Sequence, residues 1–170
     1  MRLFNLFKKK PANIRMEKYI DNEYFGKIVI EDNLKNNCIN GEIDDVSFGK
    51  YNTSMTIQAN DKNELNRIIK DIIPIFSNCS NIINNTYEKL KNLCDEYNIK
   101  DLNDHILDME YIENNSSLDF IYSYLMEECT YIEFVFSIKD ENEENILGDC
   151  TQIGARVDCN TNKIYFHVYW

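Results

Sequence analysis

The pattern in this chain that most resembles a ligand site is Asp158-x-Asn160-x-Asn162, which places oxygen-bearing side chains at alternate positions, as a calcium loop does. The pattern then stops, because Lys163 stands where such a loop needs glycine and Tyr169 where it needs a bidentate glutamate. Aspartate and asparagine are also common in tight turns. We therefore predict a hairpin turn over residues 158–162, with no bound metal ion.

Two other combinations have spacings that catalysis uses. Asp104 and Asp108 would share one face of a helix, with His105 beside them, as acid–base or metal sites require. Cys159 and His167 would face each other across a hairpin, as a nucleophile and its base do. However, a polar helix flank has the first spacing by chance, and no third residue orients the second pair. We therefore assign no catalytic residue and no metal ligand.

The sequence lacks the motifs of cofactor-binding loops. It contains no GxxxxGK[ST], GxGxxG or GxSxG pattern, and five glycines in 170 residues leave little for a phosphate-cradling loop. Six cysteines without a C-x-x-C pair, and only two histidines, argue against structural zinc. A chain of this length can bury a core without disulfides, so we expect reduced, mostly buried thiols. We predict no cofactor.

Negative charge is concentrated in the C-terminal half. Residues 101–158 hold fifteen acidic and two basic side chains, whereas residues 1–70 hold ten acidic and twelve basic ones. The whole chain has a formal net charge of −11. Such a field repels nucleic-acid phosphates and attracts a cation or a basic protein. We therefore expect a basic protein partner and no nucleic acid, and the sequence leaves the oligomeric state open.

The first 22 residues are interpreted as a leader to a single domain that spans residues 23–170. The apolar cluster at residues 3–7 precedes Lys8, Lys9 and Lys10, which is the reverse of the order in a signal peptide. The leader is either a weak interfacial anchor or a segment that is flexible or docked ahead of Pro11. No apolar run reaches the length of a membrane span, so we expect a cytoplasmic protein without a transmembrane segment.

Periodicity predicts strands first and helices second. Residues 24–31, 39–48 and 53–59 are strands by composition or alternation, and residues 49–52 form the turn between the last two. After residue 60 the apolar period changes to that of a helix. Asp61 and Glu64 predict a helix over residues 61–73 that Pro74 ends or kinks.

The next segments are a second helix, a short third one and an ambiguous stretch. Ser80 or Asn81 would cap the second helix, and Asp101 is a candidate cap for the third. Residues 117–128 fit both a strand and a helix, and the preceding serines with the absence of glycine favour the helix slightly. Alternation then predicts strands over residues 130–138, 152–157 and 163–170.

These elements predict an α+β fold, in which an antiparallel sheet of about five to six strands has two to four helices packed on one face. The apolar periods place the following eight residues in one shared core: Leu65, Ile68, Ile72, Leu90, Phe134, Phe136, Ile153 and Phe166.

Three short motifs resemble a family of small bacterial proteins of unknown function. They are the opening Phe25-Gly26-Lys-Ile-Val-Ile-Glu-Asp-Asn-Leu34, the following Gly41 with its strand and helix, and Leu147-Gly148-Asp149 before the closing hairpin. The last motif is similar to an aromatic-Gly-His turn of that family, without the histidine. The resemblance implies an intracellular α+β domain and assigns no activity and no site residue. Small proteins of this kind are similar to the immunity proteins of bacterial toxin systems.

The charge pattern and the aromatic final strand together predict a binding protein. We expect an immunity or inhibitor protein that neutralises a basic partner through the acidic C-terminal half. The candidate contacts are Asp140, Glu141, Glu143 and Glu144 for steering, with Tyr131, Tyr165 and Tyr169 as anchors.

The alternatives are a carboxylate- or metal-dependent enzyme and a domain without catalytic activity. A deep pocket lined by several of Asp104, Asp108, Glu133 and Asp149 would favour the enzyme.

Overall fold

The computed structural model describes residues 18–33, 37–100, 106–139 and 152–169. These residues form one sheet of eight strands and three helices. The elements are β1 Lys18–Asn22, β2 Gly26–Asn33, β3 Cys38–Phe48, β4 Tyr51–Ala59, α1 Lys62–Phe76, α2 Cys79–Glu96, α3 Met109–Asn115, β5 Ser116–Met126, β6 Cys129–Ile138, β7 Gln152–Asp158 and β8 Lys163–Tyr169.

The strands lie side by side in the order in which they occur in the chain. Six of the seven pairings are antiparallel, and β4 with β5 is parallel, with Met55 opposite Ile121. Parallel neighbours need a long crossover, and the three helices supply it between β4 and β5. The sheet is therefore two four-stranded meanders joined along their parallel inner strands.

The predicted α+β class is confirmed, but the predicted sheet was too small and wrongly all antiparallel. Two strands were missed. β1 lies within the predicted leader, where it pairs with β2 from Lys18 to Asn22, and residues 1–17 lie outside the described part of the chain. β5 is the ambiguous segment, and the preference for a helix there was wrong.

A β-bulge explains why β5 looked helical in sequence. Leu118 pairs with Phe136 and Phe120 with Val135, so Asp119 is an extra residue in the strand. The bulge puts Leu118 and Ile121 on the same face although they are three residues apart. That spacing imitates one helical turn, and only the pairing with β6 shows that it is a strand.

The first two helices match the prediction with shifted ends, but the short third helix expected after Asp101 is displaced toward the C-terminus, because Ile106 pairs with Lys100 in an isolated bridge. The Asp61 side chain accepts hydrogen bonds from the backbone N–H groups of Asn63 and Glu64, as a helix N-cap does. Pro74 lies inside α1, which continues to Phe76. α2 begins at Cys79, before the predicted caps. α3 begins at Met109, capped by Asp108, and the predicted cap Asp101 lies outside the described residues.

One core fills the space between the helices and one face of the sheet. Seven of the eight predicted core residues are buried, and Phe166 is partly buried against them. Phe48 of β3 stacks on Phe134 of β6 with ring centroids 4.2 Å apart, which joins the two meanders. The Tyr51 hydroxyl lies 2.5 Å from that of Tyr87 and 2.7 Å from Ser116 Oγ, which connects β4 to α2 and β5.

The described helices include none that is long and apolar enough to cross a membrane.

Candidate functional site

The other face of the second meander, β5–β8, has no helix packed on its described residues and is rich in tyrosine. Residues paired across neighbouring strands share a face. The side chains of Phe134 and its partner Ala155 point into the core. The next row of paired residues therefore points to the opposite face; it consists of Glu133, Arg156 and Tyr165. We call this surface the tyrosine face; its tyrosines are Tyr122, Tyr124, Tyr131, Tyr165 and Tyr169.

A buried carboxylate lies at the centre of the tyrosine face. Glu133 of β6 is only 4% exposed, although none of the three described helices packs on this face. The Tyr169 hydroxyl donates a hydrogen bond to Glu133 Oε1, and His167 Nε2 contacts the same oxygen. Arg156 Nη2 lies 3.6 Å from Glu133 Oε2. Long side chains from β7 and β8 therefore shield Glu133 from solvent, as the helices shield the residues on the other face.

Gly154 makes room for this cluster. It lies in the middle of β7, paired with Val135 on one side and His167 on the other. A Cβ atom at this position would lie 2.5 Å from His167 Nε2 and 2.6 Å from Glu133 Oε1, closer than side-chain carbons approach other atoms. A glycine inside a strand weakens it, and here it lets two polar side chains meet directly above the backbone.

Arg156 is held on two sides but has unused hydrogen-bonding capacity. Its guanidinium lies over the ring of Tyr124, with Cζ 6.0 Å from the ring centroid, and faces Glu133 on the other side. Its Nε atom is buried and has no hydrogen-bond partner among the described residues. Tyr124 in turn stacks on Tyr131, with ring centroids 5.9 Å apart. The cluster is therefore continuous from β5 to β8.

A second acid, Asp119, lies at the β5 bulge on the same face. Ser137 Oγ donates to its Oδ1 at 3.0 Å, and Gln152 Nε2 donates to its Oδ2 at 2.7 Å. Lys139 Nζ lies 3.6 Å from Oδ1. Because Gln152 also pairs with Tyr169, the Asp119 and Glu133 clusters are neighbours on one surface.

The tyrosines around these acids are exposed or partly exposed. Burial raises the pKa of Tyr169, and its hydrogen bond to Glu133 raises it further. Burial also raises the pKa values of Tyr124 and Tyr131. Tyr165 is 43% exposed and borders an open groove of about 530 Å³, whose other lining residues are Met126, Tyr131, Arg156, Phe166 and His167.

The structure brings together the three tyrosines that the sequence singled out. Tyr131, Tyr165 and Tyr169 all lie on the tyrosine face around the Glu133 cluster. The four predicted steering acids, Asp140, Glu141, Glu143 and Glu144, lie outside the described residues.

The acids of the C-terminal half that the structure does describe are spread over the molecule. Glu110 and Glu113 belong to α3, at the start of β5, whereas Glu127 and Glu128 form the turn at its other end. A strand of eleven residues separates the two groups by roughly 35 Å. The described acids therefore do not make one acidic face.

The Asp158 segment is the predicted hairpin turn. Backbone N–H groups of Asn160 and Thr161 donate to Asp158 Oδ1 at 2.9 and 3.3 Å. Burial alone would raise the pKa of Asp158, but these hydrogen bonds and one from the Thr161 side chain hold it below the ordinary value. The carboxylate therefore stabilises the turn.

The two catalytic combinations are not assembled among the described residues. Cys159 packs against the core, where burial raises its pKa to about 12, whereas His167 lies on the tyrosine face. Asp108 caps α3, and Asp104 and His105 lie outside the described residues.

No group of three histidine, cysteine, aspartate or glutamate side chains in the described segments is arranged to hold a metal ion. The five cysteines in these segments are all free.

Sequence reasoning missed Arg156, Gly154 and Asp119 as parts of a site, and gave Glu133 and His167 other roles. One signal was available. In β7, polar or glycine positions alternate with apolar ones, and in β6 Glu133 lies between the apolar Ile132 and Phe134, so Glu133 and Arg156 could have been placed on one face once the pairing was known. The register itself depends on the loop between the strands and on the β5 bulge, which alternation does not reveal.

Comparison with known proteins gives no match: no family model, no curated protein sequence and no solved structure is similar to this chain.

Proposed function

We propose that this chain is a binding protein that neutralises a basic protein partner, as an immunity or inhibitor protein does, and that the tyrosine face is its docking surface. The observation that carries the proposal is a cluster of five tyrosines, two exposed and three partly buried, on a sheet face that no described helix covers. A strand face that meets only water is usually polar. Tyrosine offers a large apolar area with a polar tip, and is enriched in protein interfaces for that reason.

The tyrosine face is organised in advance of binding. Tyr169 is fixed by its hydrogen bond to Glu133, and Tyr131 by stacking on Tyr124. Side chains that are already ordered lose little conformational entropy when a partner docks, so more of the contact energy contributes to affinity. The open groove beside Tyr165 gives a partner side chain a place to enter.

The charge of the chain supports a basic partner. A net charge of −11 attracts a cationic protein from a distance and speeds its encounter. Asp140, Glu141, Glu143 and Glu144 carry four of the acidic charges in one short segment and are the proposed steering residues. Affinity and register would come from the tyrosines, because rim charges act mainly on the association rate.

The carboxylate-dependent enzyme is the second candidate, because Glu133 and His167 touch each other at the edge of an open groove. A general base must reach the proton that it removes. The Glu133 carboxylate is instead covered by Tyr169, His167 and Arg156, and only 4% of the residue is exposed. Its contacts are those of a structural acid, which favours the binding protein.

The test starts from capture of a partner in the native host, followed by association kinetics of the purified pair at two salt concentrations. The Glu143→Lys, Glu144→Lys double variant should associate several-fold more slowly and with a weaker salt dependence. Tyr165→Ala should leave the association rate nearly unchanged and raise the dissociation rate about tenfold or more. Tyr97→Ala is the matched control, since Tyr97 is a half-exposed tyrosine at the end of α2.

Three outcomes would contradict the proposal: an acidic partner, an association rate that does not respond to salt, or a Tyr165→Ala variant that binds as Tyr97→Ala does. Either of the first two would show that charge does not select the partner, and the third would show that the tyrosine face is not the docking surface.

A further inference from the structure

A second candidate surface lies at the other end of the sheet, around Tyr24 in the turn between β1 and β2. Two open grooves meet at its ring, which is 51% exposed. The first, of about 240 Å³, is lined by Tyr24, Phe25, Ile43, Asp45, Val46 and Ser47. The second, of about 580 Å³, is lined by Asp21, Asn22, Glu23, Tyr24 and Ile73. We call them the Tyr24 grooves.

The Tyr24 ring is held in place from two directions. Asn22 Oδ1 accepts hydrogen bonds from the backbone N–H groups of Tyr24 and Phe25, both at 2.9 Å, which fixes the turn. The ring then packs edge-on against Phe25 and Phe76, with centroids 4.8 and 6.0 Å away. Phe76 is part of the buried core, so the exposed aromatic ring of Tyr24 packs directly against the core.

The charged groups that line the Tyr24 grooves are all acidic. They are Asp21 and Glu23 in one groove and Asp45 in the other. None of the three has an ion pair or a side-chain hydrogen bond with another described residue. Asp45 has a positive φ of 62° in the irregular stretch of β3, a backbone shape that an aspartate adopts at a cost.

This composition is complementary to a cationic side chain with an apolar stem. The methylene groups of a lysine or arginine would pack on Phe25, Ile43 or Ile73, the cation would lie against the Tyr24 ring, and the carboxylates would pair with it. An anionic or purely apolar group would leave the three carboxylates unpaired. The tyrosine face differs, because its central carboxylate already has Arg156 and His167 as partners.

We infer that the Tyr24 grooves receive lysine or arginine side chains of a protein partner. The identification of that partner as a basic protein rests on the proposed function, but the chemistry of the grooves does not. The protein would then bind its partner at two places, through tyrosines on the second meander and, on the first, through carboxylates that have no ion-pair partner among the described residues.

The test is a titration of the ¹⁵N-labelled 170-residue chain with a hexalysine peptide, monitored by amide chemical shifts, with a neutral glycine–serine hexapeptide as the blank. Shifts should be largest over residues 21–25 and 45–47. The dissociation constant should rise about tenfold in the Asp21→Asn, Glu23→Gln, Asp45→Asn variant, the combined effect of three exposed ion pairs. The Glu88→Gln, Glu96→Gln, Glu110→Gln variant removes the same charge from exposed helical positions and should bind nearly as the parent does.

Shifts that centre on the acidic segment 140–144, or equal weakening in the two triple variants, would overturn the inference and show that only net charge matters. Thermal melting of each variant confirms that it is folded, and Tyr24→Ala, which keeps all three acids, should weaken hexalysine binding by two- to fivefold.

Binding measurements with the captured partner distinguish a failure of this inference from a failure of the proposed function. If that partner binds the Asp21, Glu23, Asp45 triple variant as tightly as the parent, the inference fails while the proposed function stands. If hexalysine binds at Tyr24 but no basic partner responds to Tyr165→Ala, the inference stands while the proposed function fails.

Discussion

The tyrosine face and the Tyr24 grooves both combine aromatic rings with carboxylates, but the carboxylates differ in their burial and in their partners. Glu133 is buried and in contact with Tyr169, His167 and Arg156. Asp21, Glu23 and Asp45 line open grooves without a described partner. A charge that is buried must be paired within the protein, because leaving it without a partner costs several kcal/mol. A charge at the rim of a groove is solvated and stays available to a partner.

The comparison indicates that the number of neighbouring side chains within reach decides the role of an acid. Glu133 is on β6, with two strands on one side and five on the other, so neighbouring side chains reach over it from several directions. Asp21 and Glu23 are at the end of the edge strand β1, where fewer neighbours are within reach. Glu133 therefore stabilises the fold, whereas Asp21 and Glu23 are available to a cation. Asp45 is also available, because it is exposed in the irregular stretch of β3 although that strand is an inner one.

The largest effect that the comparison predicts is for Glu133→Gln. The amide keeps the shape but loses the charge that faces Arg156 and His167, so we expect the free energy of unfolding to fall by about 2 to 3 kcal/mol. The estimate lies at the low end for a buried pair because Arg156 is partly exposed. Urea denaturation measures the change. The matched Asp21→Asn and Glu23→Gln variants should change the free energy of unfolding by less than about 0.5 kcal/mol. An equal loss at all three positions would contradict the assignment of a structural role to Glu133 alone.

The next effect in size is for Gly154→Ala. Its methyl group would displace His167 or Glu133 and break their contact, at a cost of about 2 kcal/mol. The loss should become smaller when His167 is also alanine, because the ring then no longer occupies the space, and a double-mutant cycle measured by denaturation gives the difference. If the losses of the Gly154→Ala and His167→Ala variants simply added in the double variant, the contact of the new methyl group with His167 would not be the cause of the lost stability.

The smallest effect is a dependence of stability on alkaline pH. The pKa of Tyr169 is raised above its ordinary value of 10.0 by burial and by Glu133, so the folded protein holds the phenolic proton more tightly than the unfolded chain does. Its contribution is complete below pH 10 and is lost as the pH rises toward the raised pKa of the folded state. Since Tyr169 is 38% exposed, we expect about 0.5 kcal/mol by pH 11.

Denaturation curves between pH 8 and 11 measure this loss, and Tyr169→Phe should remove it without changing the profile of the rest of the chain. An identical profile for the variant would show that solvent, rather than Glu133, controls the proton of Tyr169.

Several elements could be predicted from local sequence because local chemistry determines them. Asp61 begins α1 through its own cap, Asp158 closes the last hairpin through its own turn, and the apolar stripe of α1 faces the core as its period requires. The same applies to β6, in which Ile132, Phe134, Phe136 and Ile138 share the core face, as the period of a strand requires.

The sequence by itself therefore determined the α+β class, most elements, the core residues and the aromatic character of the last strand, since each depends on neighbours within a few positions. Only the tertiary structure decided that β5 is a strand, that β4 and β5 pair in parallel, and that Glu133, Gly154, Arg156 and His167 meet. The physical reason is strand register. Which residues face each other across a sheet depends on bulges, on turns and on the crossover through the helices, and one shift of register would move Glu133 to the core side and separate it from its partners.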